Sequence, residues 1–336
     1  MMGLSQPAVR SIMAKGNGAY IVHAELAKTL KNYELLACNP YLGAIPSLPA
    51  PGLRKWLCEA QVAHLSPSYG HVPLPKSTSR VLTFHSFDIN ANDMEQASKA
   101  QRFYYKNVLR HAVIAATKSA DRLIAVSRFV ADCVRQHCVA NAKSVEVIYN
   151  GIDTERFRPT VDENCDRSLR VLFVGNPSQR KGFHLLAGIA EQLPEDVELA
   201  FTSGLRNKEV KTFHKRLISL GHVAYSEMHR LYQQADILLF PAYREGFGLC
   251  IAEAMACGLP VVSSNCSAIP ELIDEGQGGF LVTPGDIEAM LKKTRILLAN
   301  PALRSDFGKW NRARALRDFD RSRMAKAYSE IFASLP

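Results

Sequence analysis

Two glutamates, Glu245 and Glu253, stand with seven residues between them and frame a glycine-bearing stretch. Backbone N–H groups at the start of a helix favour an anion such as a phosphate, and Gly246 and Gly248 allow the backbone to come close to it. A phosphate needs no extra negative charge beside it, so we predict that the two carboxylates bind hydroxyl groups. The alternative is a plain βαβ unit in which Glu253 is a solvated helix residue.

The elements that must position these glutamates follow from the apolar pattern. Residues 237–240 are an apolar run of strand length, and the polar loop 241–248 follows it. Apolar residues recur at helical spacing from Leu249 to Cys257, and Gly258 is a typical helix end. Leu259 to Val262 then predicts a second buried strand. This order places the start of a helix at the carboxyl edge of a parallel sheet.

The same stretch resembles the signature of the retaining, nucleotide-sugar-dependent glycosyltransferases of family 4, or group 1. Their motif E-G-F-G-x-x-x-x-E, followed by A-x-G-x-P-V-V, is matched from Glu245 to Glu253 and from Ala256 to Val262. The resemblance implies an α/β fold with two Rossmann-like domains facing each other across a cleft, the GT-B architecture. It also implies that donor-binding residues include Gly246, Phe247, Gly248, Leu249 and Glu253.

The family likeness extends over nearly the whole sequence and sets the expected domains. Residues 1–162 are expected to form the acceptor-side domain, residues 163–318 the nucleotide-sugar-binding domain, and a C-terminal helix within 319–336 is expected to join the first. The polar segment Thr160 to Ser168 is the predicted linker. Met1 to Ser5 is a poor candidate for the first strand.

Two cations follow the predicted strand Leu169 to Val174. Arg180 and Lys181 lie just before a predicted helix, Phe183 to Gln192, where cations oppose the helix dipole unless an anion lies between them. The alternative is that both are solvated surface charges. By resemblance they neutralise the leaving diphosphate, while Glu245 holds sugar hydroxyls and Glu253 holds ribose hydroxyls. Relatives often carry arginine where this sequence has Asn176.

His85 follows a predicted strand, Arg80 to Phe84, at the edge where open α/β sheets bind ligands. A lone histidine is more often structural, but this one matches a family position that contacts the donor sugar, so we predict a catalytic role. Asp88 is either a ligand contact or a helix N-cap. The remaining donor-binding residues implied by the resemblance are Gly16, Asn17, Gly18, Ser203, Gly204 and Met228.

Composition limits the setting. The 336 residues carry a formal charge of +9 and eight cysteines without metal-binding spacing, and we find neither an apolar run of membrane-spanning length nor a secretory signal. We therefore expect a reduced, cytoplasmic protein. The basic, aromatic region 99–143 predicts either a peripheral contact with an anionic membrane or an ordinary amphipathic helix. No motif accompanies the charge, so nucleic acid is not an expected partner.

The predicted reaction is the transfer of a hexose-type sugar, with retained configuration, from a nucleotide-diphosphate sugar to a hydroxyl of a glycan or lipid-linked glycan. Bacterial surface polysaccharide synthesis at the inner face of the membrane is the expected setting. No His/Asp cluster with metal-ligand spacing is seen, so neither a metal nor a cofactor is expected. The alternatives are a nucleotide-sugar 2-epimerase of the same architecture and a non-catalytic nucleotide-sugar-binding protein.

Overall fold

The computed structural model describes residues 7–38, 51–70, 72–87, 103, 105–138, 144–160, 167–203 and 215–336. In these ranges the strands are β1 Val9–Ala14, β2 Tyr33–Cys38, β3 Val62–Leu65, β4 Ser79–Phe84, β5 Arg122–Ala125, β6 Val145–Val147, β7 Leu169–Phe173, β8 Val197–Phe201, β9 Leu217–Ser219, β10 Ile237–Phe240, β11 Val261–Ser264 and β12 Gly279–Val282. The α-helices are α1 Gly18–Thr29, α2 Pro51–Cys58, α3 Arg110–Ser119, α4 Arg128–His137, α5 Leu186–Gln192, α6 Met228–Gln233, α7 Leu249–Ala256, α8 Ile287–Ala299, α9 Pro301–Asp318 and α10 Arg321–Ala333.

The chain divides into two compact units, Met1–Gly151 with Arg321–Pro336, and Ile152–Asp320. The first boundary therefore falls earlier than the expected 162/163 and the second slightly later than 318/319. The reason is local pairing, because Ile152 bridges to Asp320 and its N–H donates to the Phe319 carbonyl at 2.8 Å. The central part of the predicted linker, residues 161–166, lies outside the described residues.

Each unit contains a six-stranded parallel sheet, which confirms the predicted α/β, Rossmann-like fold class. The strand order is β2-β1-β3-β4-β5-β6 in the first unit and β12-β11-β10-β7-β8-β9 in the second. In each unit the chain first adds strands on one side of its first strand, β1 or β7, and later adds strands on the other side. Ligands of such sheets bind at the carboxyl ends of the strands where this reversal occurs. The reversal lies between β1 and β3 in one unit and between β7 and β10 in the other.

The first strand is the main correction to the sequence prediction. The first strand among the described residues is Val9–Ala14, and the poor candidate Met1–Ser5 lies wholly outside the described residues. Arg10 and Ser11 interrupt the apolar run of β1, so the apolar pattern did not predict this strand. The structure accommodates the charge, because the Arg10 guanidinium donates to Glu34 at 3.0 Å and to Glu59 at 2.8 Å.

Other elements begin or end at residues that differ from the predicted ones. The predicted helix Phe183 to Gln192 is a 3₁₀ turn over Phe183–Leu185 followed by α5, so Arg180 and Lys181 precede a short turn and not the start of an α-helix. The strand predicted at Leu259 to Val262 is β11, which begins two residues later because Pro260 has no N–H to donate. The short strand β9 was not predicted.

The described part of the basic region has a buried face in α3 and two exposed apolar residues before it. In the part of 99–143 that the structure describes, Val113, Ala116 and Thr117 of α3 face the interior, while Phe103 is 66% exposed and Val108 39%. No helix among the described residues is long and apolar enough to cross a membrane.

Candidate functional site

The loops after β7 and β10 bring together Lys181 and Glu245, which sequence analysis had placed in two separate motifs. The Lys181 ammonium donates to Glu245 Oε2, and Arg180 Nη1 lies 3.9 Å from the same oxygen. The Lys181 and Glu245 side chains are only 15% and 14% exposed. Since β7 and β10 flank the reversal of strand order, this cluster lies where a ligand of the second sheet is expected.

Two hydrogen bonds hold the loop after β7 against the loop after β10. The Tyr243 N–H donates to the Arg180 carbonyl at 2.9 Å, and the Arg180 guanidinium donates to the Arg244 carbonyl at 3.1 Å. Gly182 permits this approach, because its φ is +73° and a Cβ there would overlap the Pro241 carbonyl. The loop that carries the cations is thus fixed against the loop that carries Glu245.

Replacing Gly182 with alanine is expected to disrupt this contact. An L-residue in the left-handed region costs about 1–2 kcal/mol before any clash is counted. We therefore expect Gly182→Ala to lower the free energy of unfolding in urea by at least about 2 kcal/mol. Gly188→Ala is the matched control, because Gly188 lies in α5 with its nearest neighbour 3.9 Å from an added Cβ. Equal stability of the two variants would contradict the close approach.

The environment of Glu245 keeps its carboxyl group ionised. Burial acts to raise its pKa, but the charges of Lys181 and Arg180, the Lys181 hydrogen bond and the Gly246 N–H outweigh burial, and the pKa is lowered. The stability that comes from this ionisation is fully present above the usual carboxyl pKa. It is lost as the pH falls through the lower pKa of the folded state.

Helix α7 begins beside this cluster. Gly248 precedes it with φ of +103°, and a Cβ at Gly248 would stand 3.6 Å from Glu245 Cγ. The N–H groups of the first turn of a helix have no partner inside the helix and suit an anion. The Phe247 side chain is buried and packs edge-on against Phe319 with the ring centroids 5.6 Å apart. Leu249, the first residue of α7, is half-buried.

Glu253 is not the solvated helix residue of the alternative interpretation. It is 4% exposed, and the Tyr232 hydroxyl donates to its Oε2 at 2.7 Å. Burial and the nearby Glu253 raise the pKa of Tyr232 well above its usual range, so this donor stays protonated. Met228 lies one turn before Tyr232 on α6 and is also buried. These contacts place Glu253 against α6, while Glu245 pairs with Lys181.

Cys250 is a residue of this region that sequence reasoning missed. It is the second residue of α7, and Lys181, Glu245 and Glu253 all act on its thiol electrostatically. Burial is the largest influence and raises the pKa of the thiol to about 12, so Cys250 is a protonated, unreactive neighbour of the cluster. Its position just after Gly248 was the only sequence signal.

In the first unit, His85 follows β4 at the carboxyl edge of the sheet, as predicted. Its ring is half-buried, and its Nε2 lies 3.0 Å from Nε2 of His23, a fully buried residue of α1. Burial lowers the pKa of His85. No motif in the sequence indicates that His23 contacts His85. Asp88 lies outside the described residues.

The other predicted donor-binding residues have structural roles that the sequence left open. Gly16 has φ of +80°, Asn17 caps α1 by accepting from the Tyr20 N–H at 2.8 Å, and Gly18 is the first residue of that helix. Ser203 is buried just after β8. Gly204 lies outside the described residues, and Asn176 is half-buried in the loop after β7. In the described part of the chain, no three His, Cys, Asp or Glu side chains form a group that could hold a metal ion.

Comparison with known proteins gives a family match in each half. The model of glycosyl transferases group 1 matches residues 168–300, and the model of glycosyltransferase family 4 matches residues 48–156. A D-inositol 3-phosphate glycosyltransferase of Streptomyces bingchenggensis is 29% identical over 64% of this chain and 53% of its own length. An α-maltose-1-phosphate synthase of Mycolicibacterium smegmatis is 26% identical over 96% of this chain and 89% of its own length. The match thus spans about half the length of the first of these relatives.

Solved structures share the fold over nearly the whole chain. Sucrose-phosphate synthase of Thermosynechococcus elongatus has a TM-score of 0.80 and 21% identity, with 97% of this chain and 98% of that chain covered. The Anabaena protein HepE in complex with UDP-glucose also has a TM-score of 0.80, with 18% identity and coverage of 98% and 100%. At these identities the likeness establishes the GT-B type of fold.

Proposed function

The chain belongs to the group 1 glycosyltransferases, and we propose that it transfers a hexose-type sugar from a nucleotide-diphosphate sugar to a hydroxyl of a glycan or glycolipid. The observation that carries this proposal is the cluster of Arg180, Lys181 and Glu245 beside the start of α7. It combines cations and helix N–H groups for a diphosphate with a carboxylate for sugar hydroxyls. Relatives with synthase and transferase names support the same class of reaction, and HepE with bound UDP-glucose supports a nucleotide-sugar donor.

In the proposed reaction the bond between the anomeric carbon and the diphosphate oxygen breaks, and negative charge develops on the diphosphate. Lys181 and Arg180 stabilise that charge, as preorganised cations do in phosphoryl and glycosyl transfer. Lys181 has three N–H donors, so its contact with Glu245 leaves donors for phosphate oxygens. Glu245 holds hydroxyls of the sugar, and buried Glu253 holds hydroxyls of the ribose.

We propose that the configuration at the anomeric carbon is retained. The acceptor oxygen bonds to that carbon on the face that the diphosphate leaves, and the acceptor proton passes to a diphosphate oxygen. Atoms and charge balance without a metal or a cofactor, because the cations of the protein neutralise the leaving group. Analysis of the product by NMR tests this point, since an inverted anomeric centre is incompatible with it.

The proposed acceptor is an intermediate of bacterial surface polysaccharide at the inner face of the membrane. Support comes from the region before and within α3, where the apolar residues Phe103 and Val108 and the basic residue Arg110 are all exposed. Such side chains suit an anionic bilayer surface. We expect the protein to float with vesicles that contain anionic phospholipid and not with neutral vesicles, and Phe103→Ser with Val108→Ser to weaken flotation. Flotation with neither vesicle type contradicts the membrane contact.

The function is tested by incubating the purified protein with UDP-, GDP- and ADP-sugars, with and without glycan acceptors, and analysing every sugar product. A transferase releases nucleoside diphosphate in step with a new glycoside. A 2-epimerase forms a new nucleotide-sugar without acceptor, and a non-catalytic protein binds the nucleotide but forms neither product. Either of the last two results would replace the proposed function.

A further inference from the structure

The loop that carries Glu245, residues 241–248, has no regular secondary structure although most of it is buried. Buried backbone carbonyl groups need hydrogen-bond donors, and an irregular loop has no helix or strand ladder to supply them. On one side this loop contacts the loop after β7 through Arg180 and Lys181. On its other side, the donors come from β11 and from the loop that follows β11, residues 265–268.

Three hydrogen bonds from β11 and its loop follow the chain from the end of β10 to Glu245 itself, and we call them the β11 contacts. The Ser263 hydroxyl donates to the Phe240 carbonyl at 2.7 Å, the Cys266 thiol donates to the Ala242 carbonyl at 3.2 Å, and the Ala268 N–H donates to the Glu245 carbonyl at 3.3 Å. Two of the three donors are side chains, so these contacts depend on the residue types at positions 263 and 266.

The chemistry of Cys266 suits the middle contact. Its side chain is half-buried, and the residue whose carbonyl it contacts, Ala242, is fully buried. Burial is the largest influence on the thiol, and together with the charge of Glu245 it outweighs a hydrogen bond from Ser267 and raises the pKa of Cys266 to about 11. The thiol therefore keeps its hydrogen and donates it. The influence of Glu245 on this thiol also places the two side chains close to each other.

A turn over residues 266–269 directs the third contact. It is closed by an N–H···O hydrogen bond of 3.1 Å between its end residues, and φ is +52° at Ser267 and −83° at Ala268. These angles fit a type II′ turn, whose first central position has a positive φ and is commonly glycine. Among the described residues, Ser267 is the one residue other than glycine with a positive φ. Its strained backbone orients the peptide group whose N–H contacts Glu245.

The loop after β11 is fixed by contacts that do not involve the Glu245 loop. The Asn265 N–H donates to the carbonyl of Val282, the last residue of β12, at 2.7 Å. Strand β11 also pairs with β12 in parallel from Val261 to Ser264. The β11 contacts therefore join the Glu245 loop to a part of the sheet that is held in place without Lys181.

We propose that the β11 contacts fix the main chain at Glu245 so that its carboxylate lies against Lys181 and against the sugar of the bound donor. Cys266 and Ser267 are positioning residues that act through Glu245. The effect on catalysis rests on the proposed function, whereas the placement of the carboxylate against Lys181 does not.

The energetic coupling between Lys181 and Glu245 measures this placement without an activity assay. The coupling is the non-additive part of the stability changes in Lys181→Met, Glu245→Gln and the double variant, obtained by urea denaturation. We expect it to lose at least about half of its value when Cys266→Ala is present in all four proteins of the cycle. Cys266→Ser is expected to preserve the coupling, because serine has nearly the volume of alanine but retains a hydroxyl donor.

Ser267→Gly and Ser267→Val form a second matched pair. Glycine adopts a positive φ without strain, so we expect Ser267→Gly to keep the coupling and to unfold at the same or a higher urea concentration. Valine is branched at Cβ and disfavours a positive φ, so it shifts the peptide group that contacts Glu245. We therefore expect Ser267→Val to lower the coupling as Cys266→Ala does. If Ser267→Val does not fold, the two Cys266 variants decide the question.

Thr294→Ala controls for a loss of stability alone. Thr294 is fully buried in α8, and its hydroxyl donates to the Met290 carbonyl at 2.8 Å within that helix. We expect this variant to be less stable than the wild-type protein, with the coupling between Lys181 and Glu245 unchanged. A coupling that is equal in Cys266→Ala and Cys266→Ser, or that falls as far in Thr294→Ala, overturns the proposal.

Steady-state kinetics then test the consequence for the reaction. A misplacement of about 1 Å at a positioning group can cost about 10²-fold in rate. We expect Cys266→Ala to lower kcat per folded protein about 10- to 100-fold, with a much smaller change in the KM for the nucleotide-sugar, and Cys266→Ser to restore most of the loss. A wild-type kcat in Cys266→Ala overturns the effect on the donor sugar. Absence of transferase activity in the wild-type protein refutes the proposed function, and the coupling measurement still decides whether the β11 contacts place Glu245.

Discussion

Lys181→Met is expected to lower kcat about 10²- to 10³-fold, the usual effect of removing one preorganised donor from a developing negative charge. Glu245→Gln is expected to lower turnover by orders of magnitude as well, because it loses the charged acceptor for sugar hydroxyls. Both side chains are largely buried and paired with each other. Steady-state release of nucleoside diphosphate measures the effect on each variant.

The same two variants have a distinct stability signature. Breaking a buried ion pair from one side leaves an uncompensated charge and costs about 3–5 kcal/mol. We therefore expect each single variant to be destabilised in urea denaturation, and the double variant Lys181→Met with Glu245→Gln to recover most of the loss while remaining inactive. This separation distinguishes lost catalysis from lost folding.

A matched control is available in the same unit. Arg170 and Glu198 form an ion pair at 2.8 Å between β7 and β8, away from the carboxyl edge of the sheet. Arg170→Met with Glu198→Gln is expected to leave turnover unchanged. Wild-type rates in Lys181→Met, or a loss of activity in the control of similar size, would contradict the role of the cluster.

Glu253→Ala is expected to raise the KM for the nucleotide-sugar about 10- to 100-fold, with a smaller effect on kcat. A hydrogen bond to a charged group contributes about 1.5–3 kcal/mol, and the ribose is bound equally in the ground state and the transition state. Tyr232→Phe keeps the carboxylate but removes the donor that holds it at 2.7 Å. We expect it to have a smaller effect of the same kind. An unchanged KM in Glu253→Ala assigns Glu253 to packing and not to the donor.

Patterns that lie within one segment could be predicted from the sequence. The strand, loop, helix and strand around Glu245 are found nearly where the apolar periodicity placed them, with only the last strand shifted past Pro260. Strand β8 has the predicted bounds, and His85 follows β4 as expected. The two parallel sheets follow from the same alternation of strands and helices.

Features that depend on contacts between distant segments could not be predicted. The pairing of Lys181 with Glu245 joins residues in two loops, and Gly182 is required only because Pro241 packs against it. The contact of His85 with His23 joins the residue after β4 to helix α1, so no local motif marks His23. Strand β1 was not predicted because the charged residue Arg10 interrupts its apolar pattern. The glutamates that neutralise Arg10 lie elsewhere in the chain, so the local sequence does not show that the charge is accommodated.

The measurement that tests the account most directly is calorimetric titration of the wild-type protein and Lys181→Met with UDP, GDP and ADP, each beside its monophosphate. We predict that one diphosphate binds clearly more tightly than the others and than its own monophosphate, and that Lys181→Met removes this difference. A wild-type protein that binds none of the three diphosphates, or a Lys181→Met variant that binds the preferred one unchanged, would contradict the assignment of the cluster to the donor diphosphate.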